Sequence, residues 1–276
     1  MGEAESSYQL GIDAAELERL DVQGRVLAPA TRTILQVAGL ASEMRVLDLG
    51  CGAGDVAFVA AELVGSTGEI VGVDQSADSI AKARARAEAR LLANVRFTVR
   101  DIHERAPDGP FDAIIGRLVL MYVPDPAAVL RTQASALRAG GIVAPIEFDL
   151  YSARSLPSTP LVTVALSWLR EAFAAAHIDP ALGPRLWGVL EAAGLQPRGM
   201  IGVQPHIAPD DPDGAALLAG IVTTALPLIE RAGVATEAQV GADTLRERIG
   251  DELASAHAVL AHPTLIGAWG TTSDAG

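Results

Sequence analysis

Along residues 41–150, hydrophobic positions alternate between two patterns: short apolar runs, and stripes spaced three and four apart. Residues 44–49 form an apolar run that ends in glycines, which predicts a buried strand. From Asp55, apolar side chains recur at Val56, Val59, Ala60, Leu63 and Val64, the spacing of a helix with one face on a sheet, and Gly65 stops it. Residues 70–73 are a second strand ending at Asp74, and Ser76 or Asp78 can cap a helix that runs to about Leu92. Residues 95–99 and 111–115 read as a third and a fourth strand. Asp125 and Pro126 make an N-cap and first-turn pair for a helix that Gly140 and Gly141 are expected to end. Residues 142–148 give a fifth strand. Ahead of these lies a helical pattern at 13–26, interrupted by Pro29, with a second helix to Val37 and Gly39 as its stop. Five strands alternating with helices predict an α/β fold with a parallel sheet covered on both faces.

After Tyr151 the rhythm changes. A loop at 155–160 precedes helices at 161–176 and 183–193, a sixth strand at 195–203, helices near 215–229 and 238–253, and an extended stretch near 260–269. No repeat or linker divides the chain, so one domain is expected. Residues 1–40 would be an N-terminal helical cap, 41–150 a cofactor-binding core, 151–195 a helical lid insertion, and 196–276 C-terminal strands and helices. The late helices are expected to lie over the sheet's carboxyl edge.

Composition narrows the function. The 276 residues are 50% hydrophobic, enough for a sizeable core. Mean hydropathy is +0.29, yet the longest nearly apolar run, residues 214–229, is broken by Thr223, Thr224 and Pro227, so no membrane span is expected. The net charge is −13 and Lys82 is the single lysine, which argues against a nucleic-acid partner. The first ten residues carry no apolar segment of the signal-peptide kind, and a cytoplasmic location is expected. Cys51 is the lone cysteine, excluding an internal disulfide and a cysteine-based zinc site. His257 and His262, five apart, suit neither a helix face nor a strand face as a ligand pair, so ordinary surface or core histidines and no metal are expected.

The segment that carries chemistry is Val46-Leu-Asp48-Leu-Gly50-Cys-Gly52-Ala-Gly54-Asp55. Its glycines allow a sharp turn and close ligand approach just before a helix N-terminus. The spacing is Gly-x-Gly-x-Gly, unlike the Gly-x-Gly-x-x-Gly of dinucleotide enzymes. An acid at Asp48 disfavours a pyrophosphate and favours a cationic ammonium group. Twenty residues past Gly54, Asp74 ends the second strand, where a carboxylate can accept both hydrogen bonds of a ribose diol; the plainer alternative is a solvated acid.

These residues resemble the class I S-adenosylmethionine-dependent methyltransferases, in particular the branch similar to ubiquinone/menaquinone-biosynthesis enzymes. Asp48 to Gly54 matches the motif that wraps the methionine part of the cofactor, and Val71-Gly-Val-Asp74-Gln75 the motif whose acid holds the ribose. Arg100-Asp101-Ile102 matches the motif in which the acid meets the adenine amino group and the next residue packs on the ring. Phe111-Asp112 through Gly116-Arg117 matches the strand end lining the sulfonium region, and Leu137-Arg-Ala-Gly140-Gly141 the turn before strand five. The resemblance implies a Rossmann-like seven-stranded sheet, mostly parallel with its last strand antiparallel and near residues 262–269, and S-adenosylhomocysteine as product. It also implies that Tyr8 and Gln23, on N-terminal helices, close over the cofactor, with Arg117 contributing its backbone.

Methyl transfer needs an oriented nucleophile and exclusion of water, and a base only where the acceptor must lose a proton. Glu147 and Asp149 after strand five and Tyr122 after strand four are the candidates at the carboxyl edge, with Glu147 the first choice as base or substrate anchor. Trp168, Phe173, His177 and Trp187 would line an apolar acceptor pocket, or simply build lid core. The expected activity is methylation of a small, apolar specialised metabolite. A non-methylating reaction such as cyclisation, and a non-enzymatic cofactor-binding protein, are the alternatives. A homo-oligomer through the lid or the C-terminal helices is a further expectation.

Overall fold

The computed structural model describes residues 14–106 and 108–272. The chain runs α1 (Ala14–Ala38), β1 (Arg45–Leu49), α2 (Asp55–Val64), β2 (Glu69–Asp74), α3 (Ala77–Ala89), β3 (Val95–Val99), β4 (Phe111–Arg117), α4 (Pro126–Ala134) and β5 (Leu137–Asp149). Then come β6 (Arg154–Leu156), α5 (Pro160–Ala175), α6 (Leu186–Ala192), β7 (Leu195–Val203), β8 (His206–Ile207), α7 (Pro212–Thr224), α8 (Leu226–Arg231), α9 (Glu237–Val240), α10 (Ala242–Ser255), β9 (Val259–Ala261) and β10 (Thr264–Thr272).

The main sheet has seven strands in the order β3-β2-β1-β4-β5-β10-β7. β3, β2, β1, β4 and β5 are parallel, and β10 runs antiparallel to both of its neighbours. β1, β2, β4 and the inner part of β5 are buried on both faces, which is why they read as unbroken apolar runs, whereas the edge strand β3 exposes Arg96 and Thr98 between buried Val95 and Phe97. The order reverses between β1 and β4, so the carboxyl ends of these two strands border the crevice where ligands of open α/β sheets sit. The helix starts are set by capping: Ser76 Oγ accepts from the Ser79 amide at 3.2 Å, and Asp125 Oδ1 from the Ala128 amide at 2.9 Å.

Several local expectations are corrected. Pro29 does not divide the first helix: α1 runs through it for 25 residues. Proline forfeits one backbone hydrogen bond, but Leu27, Ala30, Ile34 and Leu35 on both sides of it are buried against the sheet, and that packing outweighs the loss. α4 ends at Ala134, earlier than expected, and Gly140 and Gly141 lie inside β5, where the pairing with β4 shifts register. The helix expected near 215–229 breaks at Ala225, before Pro227, and the next breaks at Gly241, whose φ of 61° no helix accommodates. Residues 183–185 form one tighter 3-10 turn before α6. Part of the loop expected at 155–160 is the strand β6, and the extended stretch near 260–269 splits at His262-Pro263. Its first half, β9, joins a separate three-stranded sheet ordered β6-β9-β8.

That small sheet stands at the carboxyl edge of the large one, because β5 and β7 exit there and β10 enters there. Around it α5, α7, α8 and α10 bury an apolar core of their own, including Val162, Leu166, Leu218, Val222, Leu245 and Leu260. α1 spans both layers. Its Leu27 and Ile34 pack on the main sheet, while Val22 packs on Leu217 of α7 and Arg25 pairs with Asp213 at 2.9 Å. Among the described residues no helix is long and apolar enough to cross a membrane.

Contact between α1 and the sheet depends on Gly267 of β10, where an added Cβ would stand 2.1 Å from Ile34 Cγ2. Gly267→Ala should therefore cost about 1–3 kcal/mol in chemical denaturation. Combined with Ile34→Ala, the double variant should be less destabilised than the two single losses added together.

Candidate functional site

β1 ends in a turn where Gly50, Gly52 and Gly54 hold φ of 58°, 52° and 92°. Two of them are also forced by crowding: a Cβ would lie 2.4 Å from Val119 Cγ2 at Gly50, and 2.9 Å from the Phe58 ring at Gly54. A Cβ added at Gly52 would meet no described atom within 4 Å, so the space on that side of the backbone is open. The turn is fixed from β2, with the Cys51 amide donating to the Val73 carbonyl at 2.9 Å. Asp74 accepts from the Gly52 amide at 2.9 Å through Oδ2 and from the Ser76 amide at 2.8 Å through Oδ1. Each of its oxygens keeps a lone pair for a further donor. Cys51 is buried, and burial pushes its thiol up, so it packs and does not react.

Below the turn lies a buried polar cluster. Asp48 is fully buried and neither carboxylate oxygen has a hydrogen-bond partner; the Ala57 amide lies near enough to favour the charge but closes no bond. Burial pushes its carboxyl up to about 8, against the opposing pull of Arg117. Arg117, also buried, donates to Thr31 Oγ1 of α1 at 2.7 Å and makes no ion pair with Asp48. Asp55, in the first turn of α2, is bridged by Arg86 at 2.8 Å. α1 passes directly over it: a Cβ on Gly24 would come 3.2 Å from Asp55 Oδ1. Gln23 is half-buried next to Gly24. Tyr8 lies outside the described residues.

On the β3 side, Asp101 is exposed and held below the usual carboxylate range by the amide and ring of His103, which meet Oδ1 at 2.8 and 2.7 Å. Ile102 is half-buried, and Gln75 is exposed next to Asp74. Gln133 of α4, with no signal in the sequence, shapes this loop. Its Nε2 donates to the carbonyls of Ile102 and Glu104 at 2.6 and 2.8 Å, and its Oε1 accepts from the Ala106 amide at 3.2 Å.

At the ends of β4 and β5 the three candidate bases have different surroundings. Glu147 is fully buried, and its Oε1 accepts from the amides of Val119 and Leu120 at 3.0 and 2.7 Å. It therefore shapes the turn after β4, which begins with Leu118 at a φ of 58°. Its Oε2 has no partner, and burial pushes its carboxyl up to about 8 despite those amides. Asp149 is half-buried and accepts from the Tyr151 amide at 3.0 Å. Tyr122 is 43% exposed. Among the aromatic candidates, His177 and Trp187 are exposed, the latter donating to Glu191 at 3.0 Å, while Trp168 and Phe173 pack on the second core. His262, read from the sequence as an ordinary histidine, is buried at this edge with an unpartnered Nε2. Thr31 and His262 carried no motif; only their burial beside charged groups singles them out.

An acid whose folded-state value is raised binds its proton more tightly folded than unfolded. Stability conferred by Asp48 thus falls as pH rises from the ordinary carboxylate range towards about 8. Asp48→Asn should leave the thermal midpoint near that of the wild type at pH 5 and raise it by roughly a few degrees at pH 8, by calorimetric scanning without ligand.

Residues 40–176 match the family model of a methyltransferase domain. The chain is 33% identical over 155 residues to the aklanonic acid methyltransferase of Streptomyces sp. (strain C5), covering 54% of this chain and 69% of that one. It is 32% identical over 140 residues to the ubiquinone/menaquinone biosynthesis C-methyltransferase of Cellvibrio japonicus, covering 46% and 56%. Its fold matches a solved SAM-dependent methyltransferase from Aquifex aeolicus with a TM-score of 0.53 at 19% identity, over 69% of this chain and 93% of that one. With the strand order and glycine turn described above, these matches establish that the chain belongs to the S-adenosylmethionine-dependent methyltransferases.

Proposed function

We propose that Asp48, Gly50, Gly52 and Gly54 hold the methionine part of S-adenosylmethionine, Asp74 its ribose diol with Gln75 alongside, and Asp101 and Ile102 its adenine. The observation that carries this is the Asp48 carboxylate, desolvated and without a donor under an open glycine turn. A buried carboxylate in that state is costly until a cation with hydrogen-bond donors reaches it, and an α-ammonium group is one. The open backbone at Gly52 fits a ligand chain, and the free lone pairs of Asp74 fit a diol. When bound, the cofactor supplies a methyl group on a positively charged sulfur, so no nucleophilic side chain is needed.

The chain's own residues orient and enclose. α1, tied down at Thr31 and Arg25, excludes water from the turn, with Gln23 on its inner reach. Glu147 acts as a positioning residue that holds the turn at Leu118–Tyr122, leaving Asp149 and Tyr122 at the open rim. The acceptor is a small molecule bound on the β4–β5 side. The relative that acts on aklanonic acid supports an apolar specialised metabolite. The helices at 151–195, and those after 196, are the lid over it in a single domain. Exposed Tyr151, Leu156 and Val164 on that layer support a homo-oligomeric contact there. A cytoplasmic location belongs to the same reading.

Isothermal titration with S-adenosylmethionine, S-adenosylhomocysteine and NAD tests the cofactor roles. Binding of the first two and none of NAD is expected, with Asp74→Ala weaker by more than about 1 kcal/mol. At pH 7, binding should also release a proton from Asp48, seen as a dependence of the measured heat on the buffer's ionisation enthalpy. Failure of both sulfur nucleosides to bind would end this reading.

A further inference from the structure

His262 joins the two sheets, one residue after β9 and two before β10. Its backbone is clamped by the exit of β7: its amide donates to the Pro205 carbonyl at 2.9 Å, and its carbonyl accepts from Gln204 Nε2 at 2.9 Å. The ring is 3% exposed. Its Nδ1 lies 2.9 Å from the Pro263 carbonyl. A carbonyl only accepts, so Nδ1 carries the ring proton, and Nε2 is a bare lone pair that nothing in the protein satisfies. An orphaned buried acceptor is costly and calls for a partner.

The ring's direction follows from its neighbours. It packs edge-on against Phe148 of β5 at 5.2 Å, and burial first, then the charge of Arg117 at the end of β4, push the imidazole down to about 4, so the ring is neutral until an oxygen anion forms beside it. The ring therefore lies beside β5 at the carboxyl edge, near enough to the end of β4 to sense Arg117. The β1, β2 and β3 ends of this edge hold Asp48, the glycine turn, Asp74 and Asp101, so the methyl acceptor is left the β4–β5 side. Of the other candidates, Asp149 accepts from the Tyr151 amide, Tyr122 is exposed, and Glu147 is tied through Oε1 to the Val119 and Leu120 amides as a holder of the turn after β4, with only its Oε2 unpartnered. Arg117 adds a buried cation, which disfavours a cationic amine and stabilises an oxygen anion.

We propose that His262 is a catalytic residue for O-methylation of an acceptor bearing a weakly acidic hydroxyl, a phenol or an enol; this rests on the reading of this edge as a methyl-transfer site. The acceptor's O–H bond breaks with its electron pair left on oxygen, and the proton goes to Nε2. That oxygen forms the new O–CH3 bond as the C–S bond breaks, its pair staying on sulfur to give the neutral thioether. The imidazolium returns its proton to solvent as the product leaves. Arg117 faces the oxygen while its charge develops.

The test uses the full chain saturated with S-adenosylhomocysteine and 4-nitrophenol as the acceptor probe. Nitrogen-15 histidine NMR should show His262 with Nε2 unprotonated in the free protein and protonated once the phenol binds. The bound probe should absorb as phenolate at a pH where the free phenol is protonated. His262→Phe should abolish the phenolate band and weaken the probe about tenfold or more. His262→Gln, which keeps an acceptor but takes no proton, should bind the probe without that band. Unchanged S-adenosylhomocysteine affinity in both variants shows that fold and cofactor site are intact. A proton on Nε2 in the free protein, no phenolate band in the wild type, or a band that survives either substitution would overturn the proposal. Loss of S-adenosylhomocysteine binding by the wild type would instead overturn the cofactor assignment beneath it.

Discussion

Asp48 ends up where water does not reach because its neighbours along β1 are apolar and the strand is covered on both faces. Arg117, whose charge Asp48 feels, donates to the hydroxyl of Thr31 instead, so the two side chains form no ion pair and burial keeps the acid's proton on up to about pH 8. This separation governs the rest of the site. An internal ion pair would satisfy the acid and remove its demand for a ligand cation. The folded chain instead keeps the demand and stabilises it with packing elsewhere, chiefly that of α1 on the sheet. On the function proposed above the glycine turn serves the same end, since a backbone without side chains leaves room for a cation to approach a buried acid from the strand's end.

A second theme is the use of side chains to shape backbone near the carboxyl edge. Gln133 organises the loop after β3 by bonding three of its backbone groups, and Glu147 does the same for the turn after β4 through two amides. Gln133 sits on α4 and Glu147 on β5, and both reach into irregular chain. Asp74 plays the corresponding part between β2 and the glycine turn. Three loops at the carboxyl edge are therefore held by polar side chains anchored in regular structure, which on the proposed function limits the entropy lost on binding.

The parallel half of the fold was legible because its elements report on themselves: buried strands as apolar runs, helices as stripes, boundaries as caps and glycines. Outside it, the edge strand at 195–203 was also found to the residue, although only Leu195 of it is buried. What was hidden depends on contacts between distant segments. Pro29 reads as a break until the burial of Leu27 and Ile34 is known. Residues 260–269 read as one strand, because only the pairing partners of β9 and β10 reveal that His262-Pro263 changes sheets. The glycine turn and Asp74 stood out by spacing, whereas Gln133, Thr31 and His262 have no spacing to show. Their significance lies in hydrogen bonds made, or left unmade, across 27 to 86 positions.

The two apolar cores meet through a few half-buried side chains, among them Val26 of α1 and Phe173 of α5. Such a division separates what natural selection can alter. On the proposed function, substitutions inside the layer of α5, α7, α8 and α10 would repack the acceptor's side without entering the shell around Asp48 and the glycine turn. A lineage with this architecture can drift in acceptor preference while its cofactor handling stays fixed, and the drift is bounded mainly by how much destabilisation α1, shared by both layers, can absorb.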